Sequence, residues 1–244
     1  MDKREAIHPA SMRRLTSIVL GLLLLGLSAA PILSVTASQT ISSNTVWSGF
    51  HVVDQAFTVA PGATLTIAAG AEIDVTEDVT ITIQGNLVIE GTENNPSEIY
   101  GTFRYPTSDR PVWQGFHIDS GGSAIIGQST ITHSRGGFDV AGDLSITSGM
   151  SPLVEGAQIG YRIDGGSLSA PSDSSLHCSD SAIACLSIAS TSIDVPIVEA
   201  VNSSAIVLLN PGGNLTALEL IGDDIGIGVQ IHGGANLSVT NLNL

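Results

Sequence analysis

The chain has 244 residues, 43% hydrophobic and 13% charged, with 23 acidic against 8 basic side chains and a formal net charge of −15. That is enough apolar material to bury a core, which excludes wholesale disorder. So few Lys and Arg exclude a surface built for phosphate backbones, and no nucleic-acid partner is expected. Twenty-seven glycines and only 4% aromatic residues describe many turns and few large side chains, as in stacked short strands.

Residues 1–37 read as an address. Lys3, Arg4, Arg13 and Arg14 precede an apolar run from Leu15 to Ala30, and small residues follow to Ala37, the order of a secretory signal peptide. Val35-Thr36-Ala37 offers small side chains at the positions a signal peptidase reads, so cleavage is expected before Ser38. The alternative is an uncleaved N-terminal anchor, because about 20 apolar residues span a bilayer; that anchor would be the only contact with a membrane. Either way the protein is expected to be secreted or held at the cell surface. Without residues 1–37, which hold Asp2, Glu5 and the four basic residues above, 21 carboxylates face four arginines, a net charge of −17. An acidic surface of this kind is soluble and salt-screened. Calcium would need converging oxygen ligands, and no EF-hand spacing supplies them.

Cys178 and Cys185 are the only cysteines. In an exported chain they are expected to form a local disulfide, which by loop entropy contributes about 2.5 kcal/mol. One adjacent histidine, His177, is too little for a zinc site.

The lead-in, residues 38–56, is followed by a repeat. Strand-like segments recur at Phe116, Phe138, Tyr161, Leu186, Ile206 and Val229, separated by 22, 23, 25, 20 and 23 residues, and most are introduced by glycine. Each alternates with period two, so Phe116 and Ile118 point inward while His117 and Asp119 point outward. Second strands follow at Asp143–Ile146, Ser167–Ser169, Ser192–Val195, Asn214–Ala217 and Asn236–Val239. Third pieces close several coils, as at Ser129–Ile131 and Gly156–Ile159. Three short strands in about 22 residues leave no room for helices. A leucine-rich repeat needs a denser leucine pattern. The fold class is therefore all-β, a right-handed parallel β-helix of about 22 to 23 residues per coil over residues 57–244, stabilised by stacking of neighbours. Asn236–Leu244 ends in mid-coil without a polar cap, so the helix is expected to be incomplete at the C-terminus and the chain to be part of a longer one.

The denser stretch Phe57-Thr58-Val59-Ala60-Pro61-Gly62-Ala63-Thr64-Leu65-Thr66-Ile67, then Gly85-Asn86-Leu87 with Gly91-Thr92, then Val112-Trp113-Gln114-Gly115-Phe116, resembles the opening of right-handed β-helix proteins of the pectate-lyase-like superfamily. The resemblance covers roughly residues 52–244 and identifies a fold family rather than a reaction. It implies an exported surface protein, and it points to an outward solenoid face as the place where saccharides are handled.

Superposing the coils places His117, Asp139 and Arg162 at one outward position, with Asp119 and Asp164 two residues further on. These five residues are the candidate ligand-binding strip, and Asp139, Arg162 and Asp164 are the candidates for any catalysis. The plain alternative is a solvent-facing ladder with one ion pair. A polysaccharide lyase would need a base opposite carboxylate-bound calcium, and Arg162 is the only arginine central to the strip. A glycoside hydrolase would need paired carboxylates; Asp223-Asp224 reads as a turn instead. No nucleophile elbow, P-loop or zinc-protease motif occurs. Asn202, Asn214 and Asn236 head glycosylation sequons, the last two 22 residues apart. The expected role is a structural, adhesive or glycan-binding module facing polysaccharide or cell-envelope partners. The alternative is a carbohydrate-active lyase or hydrolase.

Overall fold

A computed structural model describes residues 39–76, 78–101 and 113–244. The leader, 1–37, and its expected cleavage lie outside them. Every regular element among the described residues is a strand, and every pairing between strands is parallel. The chain winds as a right-handed parallel β-solenoid, the hand that parallel crossovers favour.

One face is a nine-stranded sheet that takes one strand from each coil, from Gln39–Ile41 to Ile227–Ile231. The other two faces belong to a single fifteen-stranded sheet. It runs along the second face from Thr45–Trp47, reaches Ser192–Val201, and doubles back along the third face to Phe50–Val53. The doubling back occurs because Ser192–Val201 is one ten-residue strand serving both faces, and Asn214–Asp223 and Asn236–Asn243 repeat the device above it. Pro196 sits at the corner. It has no N–H to donate, and its position is skipped in the ladder between Val195↔Ala217 and Ile197↔Glu219.

The core forms because inward positions on each strand repeat coil after coil. On the nine-stranded sheet Phe57, Ile81, Phe116, Phe138, Tyr161, Leu186, Val207 and Val229 share one inward row. Within it Phe116 and Phe138 stack with ring centroids 5.4 Å apart, Phe138 and Tyr161 at 5.7 Å, and Trp113 meets Phe116 edge-on at 5.3 Å. Tyr161 is fully buried, yet its hydroxyl donates to the Pro152 carbonyl at 2.8 Å, so its polar end is satisfied. Its ionisation is pushed well up by burial.

Small residues let adjacent coils approach. A Cβ on Gly160 would stand 2.5 Å from Cys178 Sγ, and one on Gly137 would stand 2.5 Å from the Gly160 carbonyl oxygen. These contacts explain why glycine introduces the strands. Cys178 and Cys185 form the disulfide, with Cα atoms 5.4 Å apart, wholly inside the core.

Several expectations need correction. The solenoid starts earlier than residue 57: Gln39–Ile41, Thr45–Trp47 and Phe50–Val53 pair with the next coil and form the first one. The strand at 205–209 is shifted by one, with Val207 and not Ile206 in the row of Phe116. Residues 205, 206 and 207 are all apolar and all buried, so alternation alone cannot set the phase there. The spacings are therefore 22, 23, 25, 21 and 22 residues. The third strand of the fifth coil is Leu153–Glu155; Gly156, with φ 67, turns the chain, and Ile159 already opens the next strand.

Candidate functional site

The outward row of the nine-stranded sheet reads Thr58, Thr82, His117, Asp139, Arg162, Ser187, Leu208 and Gln230. Neighbouring strands lie about 4.8 Å apart, so consecutive members of this row touch. His117, Asp139 and Arg162 thus fall on three adjacent coils, as the superposition of the repeat implies.

They are joined. Arg162 donates to Asp139 Oδ2 at 3.4 Å, His117 Nδ1 stands 3.6 Å from the same oxygen, and His117 Nε2 stands 3.1 Å from Asp119 Oδ1. Gln84 Nε2 then donates to the other Asp119 oxygen at 2.9 Å. The result is a line of polar contacts over four coils, Arg162–Asp139–His117–Asp119–Gln84. Its ionisable members are between 30% and 45% exposed, so each pair is screened and adds about 0–1 kcal/mol to stability. The line is better suited to presenting fixed donors and acceptors than to holding the fold together.

Asp164 does not join this line. It lies opposite Ala189, Ala141 fills the coil between it and Asp119, and its side chain makes no hydrogen bond or ion pair among the described residues. Alternation places it on the right face, but the short Ala141 side chain breaks the row.

Beside the line a pocket of about 250 Å³ opens, lined by His117, Asp139, Arg162, Gln114 and one residue that the repeat does not single out, Arg135. Arg135 lies in the turn before the strand Gly136–Val140, where period-two alternation carries no information. The available signal is scarcity: Arg135 and Arg162 are the only Lys or Arg among the described residues, and both line this pocket.

The arrangement bears on catalysis. In a glycoside hydrolase two carboxylates must leave a gap for the sugar and water. Here the imidazole of His117 bridges Asp119 and Asp139 and fills the space between them. Among the described residues no three His, Cys, Asp or Glu side chains converge as metal ligands would.

The sequons occupy two settings. Asn214 and Asn236 are stacked on the second face, where Asn236 donates to Asn214 Oδ1 at 2.7 Å and Asn214 donates to Ser192 Oγ at 3.0 Å. Asn202 is exposed in a left-handed turn, φ 46, and its amide donates to Asp180. Asp224, φ 54, repeats that turn one coil on, but Asp223 ends the strand Asn214–Asp223 opposite Val201, so the expected turn at Asp223-Asp224 begins only at Asp224.

No protein family, curated protein or solved structure matches the chain. The reading of this face therefore stands on its own geometry.

Proposed function

We propose that the chain is an exported module displayed outside the cell, a β-helix of the pectate-lyase-like type, whose nine-stranded face binds saccharides or other envelope components. One observation carries the reading: donors and acceptors are lined up at the coil spacing over four successive coils, fixed by one another before any ligand arrives. A ligand meeting such a row loses little of its binding energy to ordering the protein. A chain of sugars suits it, because its hydroxyls repeat along a line as the coils do. The buried disulfide fits an oxidising compartment. The filled gap between Asp119 and Asp139 favours binding over cleavage.

The test is thermal unfolding with neutral and acidic polysaccharides, each with calcium or with chelator. A ligand held at 100 times its Kd stabilises the native state by about 2.7 kcal/mol. The expected result is a raised midpoint with at least one polysaccharide, reduced in Asp139→Ala and Arg162→Ala. No shift with any saccharide would reject the binding reading and leave a structural scaffold.

A further inference from the structure

We propose that the pocket beside His117 is an oxyanion subsite, in which Arg135 and Arg162 hold a carboxylate or sulfate group of the ligand. The inference rests on the saccharide-binding reading of this face and adds the charged group that the saccharide must carry.

Three observations carry it. The first is the state of Arg135. Its backbone is engaged, the N–H donating to the Trp113 carbonyl at 2.7 Å and the carbonyl accepting from Gln158 at 2.9 Å, but its exposed side chain has no ion pair or hydrogen bond among the described residues. The other described arginine, Arg162, is paired with Asp139, so Arg135 is the one without a carboxylate at ion-pair distance among the described residues. From this fixed turn Arg135 lines the pocket. The second is Arg162. It spends one N–H on Asp139, and a guanidinium has five, so donors remain for a ligand. Asp139 is held by His117 and Arg162 together, which fixes where the Arg162 plane lies.

The third is Gly136, which lines the same pocket. Most glycines in the solenoid are demanded by crowding or by a positive φ. Gly136 is not: a Cβ there would meet only the Gln114 and Ile159 carbonyl oxygens, both at 3.9 Å. What its missing side chain keeps open is the pocket itself, between the two arginines. Planar, forked guanidinium groups match carboxylate and sulfate oxygens, and charge-assisted bonds are the strong ones.

The experiment is calorimetric titration of the purified full chain with three probes: a uronic-acid oligosaccharide, the same oligosaccharide with its carboxyl groups reduced to alcohols, and inorganic sulfate. The variants are Arg135→Gln, which removes the charge, and Gly136→Leu, which keeps both arginines and fills the pocket. Arg135 is exposed and a Cβ on half-buried Gly136 meets nothing closer than 3.9 Å, and circular dichroism checks that the variants stay folded. The expected result is that the acidic oligosaccharide binds at least about tenfold more tightly than its reduced form, and that each variant abolishes this preference. Sulfate binding that depends on Arg135, with no oligosaccharide bound, would uphold the subsite and reject the saccharide reading. Equal binding of the acidic and reduced forms would overturn the subsite while leaving that reading intact. A preference that survives both variants, or binding of neither sulfate nor acid, would also overturn it.

Discussion

Phe138→Ala is the perturbation that best probes how the core and the binding face depend on each other. The ring is completely buried, stacks on Phe116 and Tyr161 at interplanar angles of 14°, and lies beneath the pocket. Truncating a buried Phe to Ala costs about 3–5 kcal/mol, the transfer of the ring plus the cavity it leaves. The two ring contacts, each about 0.5–1.5 kcal/mol, place this site at the upper end of that range. Collapse cannot recover much, because the coils above and below are fixed by backbone ladders at the strand spacing. The loss is a large fraction of the 5–15 kcal/mol typical of a folded domain. Urea unfolding followed by circular dichroism measures it, with Phe138→Leu as the milder companion. A solenoid is stabilised through neighbour interfaces, so the alanine variant is expected to unfold in two steps, with the coils on either side separating. A loss under about 1 kcal/mol with a single transition would refute the idea that this aromatic row is a continuous, closed stack.

Reducing the Cys178–Cys185 disulfide, or replacing both cysteines by serine, is expected to lower stability by about 2.5 kcal/mol, read as a shift of the denaturation midpoint between oxidised and reduced protein. In alkali the sign follows from Tyr161. Burial raises its pKa in the folded state, so the stability tied to its neutral form is complete below the unfolded value near pH 10 and declines as pH rises above that. Tyr161→Phe is expected to flatten this decline and to cost about 0.5–1.5 kcal/mol at neutral pH for the lost bond to the Pro152 carbonyl; pH-jump unfolding of the two proteins checks both.

How much of this was legible in the sequence differs from element to element. The inward rows were readable, because only large apolar residues at period two can fill a coil with no helices. The outward neighbours His117, Asp139 and Arg162 followed from the same register. Where three apolar residues run together, as at Ala205-Ile206-Val207, alternation has no phase and the register slipped by one. The strand read as Ser192–Val195 stops just before Pro196, and proline does interrupt a ladder. At a corner between two faces it only skips one bond, and the strand continues through it. Arg135 escaped notice because turns vary in length from coil to coil and carry no period. Asp164 sits on the expected face, and the gap at Ala141, two residues beyond Asp139, was already present in the superposed coils.

The corner between the second and third faces varies more than any strand. Seven residues separate Ile89 from Ser97, two separate Ile126 from Ser129, six separate Ile146 from Leu153, and none remain once Ser192–Val201 runs straight through. Parallel pairing persists on both sides of all four versions. This corner is thus where the solenoid tolerates foreign peptide. A loop grafted in place of residues 92–96 would lengthen a connection that the next coil makes with only two residues, and would leave the Glu90 and Gly91 bonds to the neighbouring coils in place. The same graft at Pro196 would sever a ladder that ties two faces together.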